Sequence, residues 1–499
     1  MSDHPLRVLM ISSEVDPFAR SGGLGDAVGG LSRALARLGA DVVVVTPFYG
    51  VTKIPAGAGS WWADTVVARV GWGAEDVRTL GVFEVREDVG GAGSHRTCFL
   101  AHDLLFGSRS LYDDPFGGAY GDNDVRFVTM SRGALAVAEH LWGSPSFGGG
   151  PDVIHAHDWH AAPAILSARL TMGAGWAIKP MFLTIHNLGF QGIFGFDAID
   201  RLGFPRAAFF DGTLSQDGSL NLLKGGIILS SRVTTVSPTY SREIRTPAEG
   251  WGLDGLLRGH NHKLFGILNG IDVERFDPRT DGAIARRYDA STAYHARRTC
   301  KDALVSEMGL DGDDGPLFAI ISRLTEQKGV DLLLAVLPAL IERGARLLFV
   351  GTGDPSLEDG LRWARERFPG RVAARVAFDP PLARRVYSAA DFLVVPSRYE
   401  PCGLTQMYAM RYGAIPIVTG VGGLLDTVTP MDAAHDVGTG FVAAYPTPTE
   451  LLGACEDALT LYSDPRSMAG AVERAMSRND SWSGSAAMYM LLYETAHGG

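Results

Sequence analysis

Short apolar runs that end in polar or glycine-rich residues recur along the chain. They are LRVLMISSE, DVVVVTPF, DVIHAHD, MFLTIHN and VTTVSPTY, then PLFAIISRL, ARLLFVGTGD, RVAFD, DFLVVPSRYEP and AIPIVTG. Runs of this length without polar alternation predict strands buried on both faces, as in a parallel sheet. Stretches with helical spacing, such as GLSRALARLGA and VDLLLAVLPALIERGA, separate them. The alternation of buried strand and helix predicts doubly wound α/β architecture. It breaks at RTPAEGWGLDGLLRGHNHK, around residues 245–265, where glycines and polar residues mark a boundary.

Composition agrees with this picture. A chain of 499 residues exceeds one ordinary core, so two domains of roughly 200–250 residues are expected, with a cleft between them. Hydrophobic residues make up 46% and charged residues 20%, the profile of a soluble globular protein, and the 62 glycines follow no period and imply tight turns. The net charge of −11 without a Lys/Arg-rich run argues against nucleic acid or an anionic membrane as partner, while leaving room for a locally basic pocket. Cys98, Cys300, Cys402 and Cys455 are scattered, as expected of reduced thiols in a cytoplasm. The start MSDHPLRVLMISSE has neither a signal-peptide nor a transit-peptide pattern. No apolar run reaches membrane-spanning length. The pattern carries no signal for oligomeric state.

In doubly wound sheets ligands bind beyond the carboxyl ends of the strands, so residues terminating the apolar runs carry the chemistry. SGGLGDAVGGL follows the first run and opens a helix, where free N–H groups favour an anion. It matches neither GxGxxG nor GxxxxGK[ST], and a plain tight turn fits it equally. A second copy of GGLxDxV, in VGGLLDTV (residues 421–428), also opens a helix. HAHDWH (residues 155–160) invites a metal reading, but no Cys or Glu at ligand spacing completes a site. SRLTEQKG places Arg323 and Lys328 in one loop, close enough to meet one diphosphate or to pair with Glu326. Glu400 stands between a strand and a helix beginning near Gly403, where a carboxylate can equally be a helix-dipole partner. Phe378 ends a strand as either a base-stacking or a core aromatic.

Together these stretches resemble the bacterial glycogen synthases and plant starch synthases, glycosyltransferases of family five. The resemblance runs in order through SGGLGDAVGGL, YGDNDVRF, HAHDWH, TIHNLGFQG, LLKGGI, TVSPTYSREI, GILNGIDVERFDP, SRLTEQKG, VPSRYEPCGLTQMYAMRYGAIPIV, GGLLDTV and SWSGSAAMYMLLY. It implies the GT-B fold, two Rossmann-like domains with the site in the cleft. Residues 1–255 would form the acceptor-side domain and 256–480 the nucleotide-sugar domain, with 481–499 a helix crossing back to the first. It implies retaining transfer of glucose from ADP-glucose to the non-reducing end of an α-1,4-glucan such as glycogen, with no metal and no cofactor. Matched to the family, Arg323 and Lys328 hold the leaving diphosphate and Glu400 contacts the donor glucose, with Cys402, Gly403, Leu404 and Thr405 beside it. Asp158, His186, Asn187 and Asn269 line the sugar pocket, Phe378 stacks on adenine, and Tyr120 lies near the donor. Arg20, Gly22, Gly23 and Asp26 bring the first loop to the donor.

Two departures from the family pattern stand out. Arg20 replaces the usual lysine, a rigid fork in place of a point charge, and bears on donor preference. Phe276 and Asp277 replace Trp and Asn, a change in packing. The competing readings are a UDP-glucose-preferring synthase, a non-catalytic glucan-binding protein, for which a diphosphate clamp is superfluous, and a dinucleotide oxidoreductase, against which the failed GxGxxG counts.

Overall fold

A computed structural model of the chain describes residues 4–114, 117–377, 379–432 and 436–497. The chain divides into two compact units: Met1–Val236, Ser241–Gly270 and Trp482–Gly499 form the first, and Ser237–Tyr240 and Ile271–Ser481 the second.

The parallel strands of the first unit are β1 (Arg7–Ile11), β2 (Asp41–Pro47), β3 (Ser94–Ala101), β4 (Val153–His157), β5 (Met181–Ile185), β6 (Arg232–Thr235) and β7 (Leu264–Gly266). They lie in the order β7-β6-β5-β4-β1-β2-β3. Past β3 the sheet continues antiparallel through Val77–Glu87, which pairs with Gly59–Trp61 and Val66–Arg69. The unit runs on past the glycine-rich stretch to Gly270 because β7 pairs with β6. A separate three-stranded sheet joins Ile193–Phe194, Ser215–Gln216 and Ser219–Asn221.

The second unit has one all-parallel sheet of β8 (Leu317–Ile321), β9 (Arg346–Val350), β10 (Val372–Arg375), β11 (Phe392–Val395), β12 (Ile415–Thr419) and β13 (Phe441–Ala443), ordered β10-β9-β8-β11-β12-β13. Counted from its own first strand, each unit therefore reads third, second, first, fourth, fifth, sixth, the doubly wound Rossmann order, with a seventh added beyond the sixth in the first unit. The order reverses between β1 and β4, and again between β8 and β11. One expected strand is displaced: of RVAFD (375–379) only Arg375 belongs to β10, which takes Val372–Arg375 instead. Val372 and Ala373 pair with Leu347 and Leu348 of β9 and are buried, while Val376 is exposed. Two similar apolar pairs are adjacent in sequence, and burial against β9 selects the first.

Val8 to Ile11 of β1 are wholly buried, as a strand covered on both faces requires. Helix Gly23–Arg37 buries Leu24, Val28, Leu31 and Leu35 at helical spacing. Its Gly30 is a contact point: a Cβ there would stand 1.9 Å from the indole nitrogen of Trp482. That close approach seats the C-terminal helix Ser483–His497 on the first unit, where Tyr489 and Tyr493 are buried in the same core cluster. Among the described residues no helix is long and apolar enough to cross a membrane.

Candidate active site

In the first unit, the loop leaving β1 is organised by Glu14, which is almost fully buried. Its carboxylate accepts from the Ser21 N–H at 2.6 Å, the Gly22 N–H at 3.2 Å, the Ser21 hydroxyl at 2.8 Å and the Tyr112 hydroxyl at 2.6 Å. The N–H groups that open the helix therefore already hold an anion, supplied by the chain. Arg20 pairs with Asp26 and, at 3.2 Å, with Asp16. Gly25 carries the tight packing, since its Cβ would meet that of Arg20 at 2.7 Å, whereas around Gly22 there is open space.

At the other side of the same reversal, Asp158 follows β4 directly and adopts a left-handed φ of 57°, a conformation that costs a non-glycine residue roughly 1–2 kcal/mol. It is the first residue of helix Asp158–Leu170 and accepts the His186 N–H at 2.7 Å. Burial pushes its carboxyl up to about 7, against the lowering effect of the His186 and Asn187 backbone N–H groups. His186 follows β5, the neighbouring strand, and its Nε2 lies 3.0 Å from Nδ1 of His157. Burial holds His186 down to about 3 and His157 well below its usual value, so the pair is neutral near pH 7 and shares one N–H between the two rings. Behind it, His155 bonds the Tyr493 hydroxyl and the Thr184 hydroxyl, each at 2.6 Å, and stacks on His157 with centroids 4.2 Å apart. His155 and His157 are thus bonded to separate partners, His160 packs against the rings of Tyr112 and Phe127, and among the described residues no three metal-ligating side chains converge.

Tyr120 lies in the loop that Arg126 holds, its ring between Arg109 at 5.0 Å and Arg126 at 4.7 Å, with the hydroxyl accepting from the Ser110 N–H at 3.2 Å. Tyr112, not Tyr120, brings its hydroxyl to Glu14. Asn269 is buried just past β7, three strands from β4, a separation of about 14 Å at ordinary strand spacing.

In the second unit, the loops after β8 and β11 are fastened together. Lys328 donates to Glu400 at 2.5 Å and Ser397 to the same oxygen at 2.9 Å, with Glu400 buried. Gly329 has φ 62°, and a Cβ there would lie 1.9 Å from the Pro396 carbonyl oxygen. Arg398 forks onto Asp331 at 2.7 and 2.8 Å and its N–H donates to the Gln327 carbonyl at 2.8 Å. Arg323, five residues before Lys328 in the same loop, is exposed. Gly403 has φ 72°, and Gln406 donates to the Cys402 and Gly403 carbonyls at 3.2 and 2.9 Å. Leu404 and Thr405, partly buried, open helix Thr405–Arg411. The second GGL copy lies under this loop: the Gly423 N–H donates to the Glu400 carbonyl at 3.0 Å, and a Cβ on Gly423 would stand 2.4 Å from Cα of Cys402.

Residues 7–259 match the family model described as starch synthase catalytic domain, and residues 315–461 that of glycosyl transferases group 1. Over 98% of its length the chain is 41% identical to the glycogen synthase of Myxococcus xanthus, covering 99% of that protein. It is 39% identical to glycogen synthase 2 of Agrobacterium fabrum, covering 99% of this chain and 93% of that one. The chain belongs to the glycogen and starch synthase family of glycosyltransferases.

Its fold is GT-B. The solved catalytic domain of starch synthase IV from Arabidopsis thaliana, bound to ADP and acarbose, superposes with a TM-score of 0.89 at 30% identity, covering 99% of this chain and 100% of that one. A sucrose-phosphate synthase from Thermosynechococcus elongatus, 19% identical with a TM-score of 0.58 and covering 99% of each chain, shares the fold. Within this family member, Glu14 and Tyr112, which organise the loop after β1, are residues that motif reading misses. Glu14 carries a signal all the same, as the acid that terminates the first apolar run. Tyr112 carries none, since its partner is 98 positions away. Phe378 lies outside the described residues. Phe276 stacks on Tyr408 with centroids 4.1 Å apart, and Asp277 pairs with Arg279 at 2.5 Å and Arg411 at 3.5 Å, so the departure from Trp-Asn is absorbed by packing.

Proposed function

We propose that the protein transfers glucose from ADP-glucose to the non-reducing end of an α-1,4-glucan in the cytoplasm, with retention, releasing ADP. The observation that carries this reading is the clamp of Lys328 on Glu400 at the reversal point of the second sheet, with the exposed Arg323 in the same loop as Lys328. Two cations there suit a diphosphate, each charge-assisted contact being worth about 1.5–3 kcal/mol. The carboxylate next to them suits sugar hydroxyls, which donate to it, rather than phosphate.

In this reading the acceptor O4 attacks the anomeric carbon on the face from which the diphosphate leaves, through an oxocarbenium-like transition state. The bond from the anomeric carbon to the diphosphate oxygen breaks with its electron pair on oxygen, and the O4 proton passes to a leaving phosphate oxygen. Arg323 and Lys328 stabilise the charge that develops there, with preorganised cations standing in for a metal; Leu404 and Thr405 bring helix N–H groups to the phosphates. Glu400 orients the glucose. His186, neutral by burial, supports the sugar as a hydrogen-bond partner rather than as a cation, and Asp158, Asn187 and Asn269 line its pocket. Arg20, Gly22, Gly23, Asp26 and Tyr120 serve the donor from the first unit, and Phe378 the adenine.

ADP release that requires both ADP-glucose and a glycogen primer is the expected result. Glu400→Ala is expected to lower that rate about 10²–10³-fold, the scale of losing one preorganised transition-state contact; an unchanged rate removes Glu400 from the mechanism. A competition assay with UDP-glucose decides the donor, and faster turnover of UDP-glucose would replace ADP-glucose in the reaction.

A further inference from the structure

Trp251 lies in the glycine-rich stretch EGWGLDG, counted with the first unit. Its backbone is left-handed, φ 48°, and Gly252 follows at φ 79°. A bulky residue in that region is a genuine outlier, and a glycine at 251 would adopt it without strain. Burial of the ring does not account for it, because 50% of the residue is open to solvent. The backbone is held by amides: Gln191 Nε2 donates to the Trp251 carbonyl at 2.9 Å and Gln216 Nε2 to the Gly252 carbonyl at 3.4 Å. Buried Asn221 donates in turn to the side-chain oxygens of both glutamines, at 2.7 and 2.8 Å. The ring rests over Gly189, where a Cβ would lie 3.6 Å from Cε2 and Cζ2. Gly189 donates its N–H to Asn187 Oδ1 at 3.0 Å. The indole therefore adjoins Asn187, on the segment that leaves β5 through His186, and Phe190 on that segment is 58% exposed.

We propose that Trp251 is a stacking platform for a glucosyl ring of the acceptor α-glucan, next to Asn187. The proposal rests on the glucan-synthase reading and adds the residue that gives it preference for longer chains. The C–H face of a pyranose is apolar and weakly positive, and the face of an indole is negative, so stacking holds a neutral sugar without charge. Neutral amides bond the backbone carbonyls of Trp251 and Gly252, and half of the Trp251 surface is open to solvent, enough for a sugar ring to reach it. Holding it half-exposed against its backbone preference is a feature that folding alone does not require.

Steady-state kinetics of the full-length enzyme, with maltoheptaose and maltose as acceptors, test this. Trp251→Ala is expected to raise the KM for maltoheptaose about tenfold, with the KM for ADP-glucose and the kcat at saturating acceptor within twofold of wild type. Trp251→Phe, which keeps a ring, is expected to recover most of the loss, and Trp251→Gly, which relieves the backbone, to behave as Trp251→Ala with an intact far-UV spectrum. An unchanged maltoheptaose KM overturns the proposal, as does an equal loss in Trp251→Phe, which would make the role structural. So does sedimentation in which wild type self-associates, Trp251→Ala does not, and the KM values agree, which would make the face an interface between copies. If wild type transfers glucose to neither acceptor, the parent reading has failed. Retardation in a glycogen-containing native gel then judges the platform: loss in Trp251→Ala supports it and equal mobility overturns it.

Discussion

Asp158 illustrates what a single residue carries. Its position at the end of an apolar run is legible in HAHDWH, but its left-handed backbone and raised carboxyl pKa arise from burial against residues that the run does not contain. Unfolded, an aspartate titrates near 4; here it titrates at about 7. Between those values the folded state holds the proton and the unfolded chain does not, so this group's contribution to stability is complete below about pH 4 and is lost as pH rises to 7. Asp158→Asn is therefore expected to be more stable than wild type at pH 8, by about 2 kcal/mol once the full penalty is offset by weaker bonds to the asparagine. The gain should vanish near pH 4, and urea melts at the two pH values measure it. Glu14 makes the complementary point: an acid at the end of the first run is visible in ISSE, but its four hydrogen-bond donors come from residues 21, 22 and 112.

At the level of elements, one motif serves two physical ends. In the first GGLxDxV copy the N–H groups of Ser21 and Gly22 hold Glu14, and Gly22, with extended φ and nothing near its Cβ position, tolerates a side chain in the unliganded chain. Gly22→Ala is expected to leave thermal stability unchanged and to raise the KM for ADP-glucose, because only a ligand can contact the added methyl; an unchanged KM would remove the loop from donor binding. In the second copy Gly423 faces the Cys402 backbone, so Gly423→Ala must displace the Glu400 loop. A loss of about 1–3 kcal/mol, the scale of overpacking, with at least tenfold lower kcat is expected from denaturation and rate measurements. The C-terminal helix is legible by its motif, but not its bond to β4: Tyr493→Phe leaves Nδ1 of buried His155 without its partner at 2.6 Å. That costs about 1–3 kcal/mol, read from chemical denaturation.

Across the whole molecule, the first unit concentrates buried neutral imidazoles. Burial lowers His155, His160 and His186 to about 3 and holds His157 well below its ordinary value, while an unfolded histidine takes up its proton near 6.5. Between those values the unfolded chain binds more protons, so stability falls as pH falls below about 6.5, outweighing the opposite effect of the single Asp158. Calorimetry is expected to show a falling Tm from pH 6.5 to 4.5 with net proton uptake on unfolding, measurable by comparing buffers of different ionisation enthalpy. The two doubly wound sheets were legible because strands buried on both faces are written locally, as apolar runs, and the alternation of runs with helices constrains how they can be wound. The small three-stranded sheet and the short strands that pair with Val77–Glu87 were not, since strands of two to four residues such as Ile193–Phe194 and Val66–Arg69 carry too few positions to show a period. Fold class, strand succession and the residue types at strand ends thus follow from the chain read in one dimension. Which N–H groups meet Glu14, which backbone Gly423 supports and why Trp251 stays half-exposed follow from packing in three dimensions, because each depends on groups that distant segments bring within bonding range.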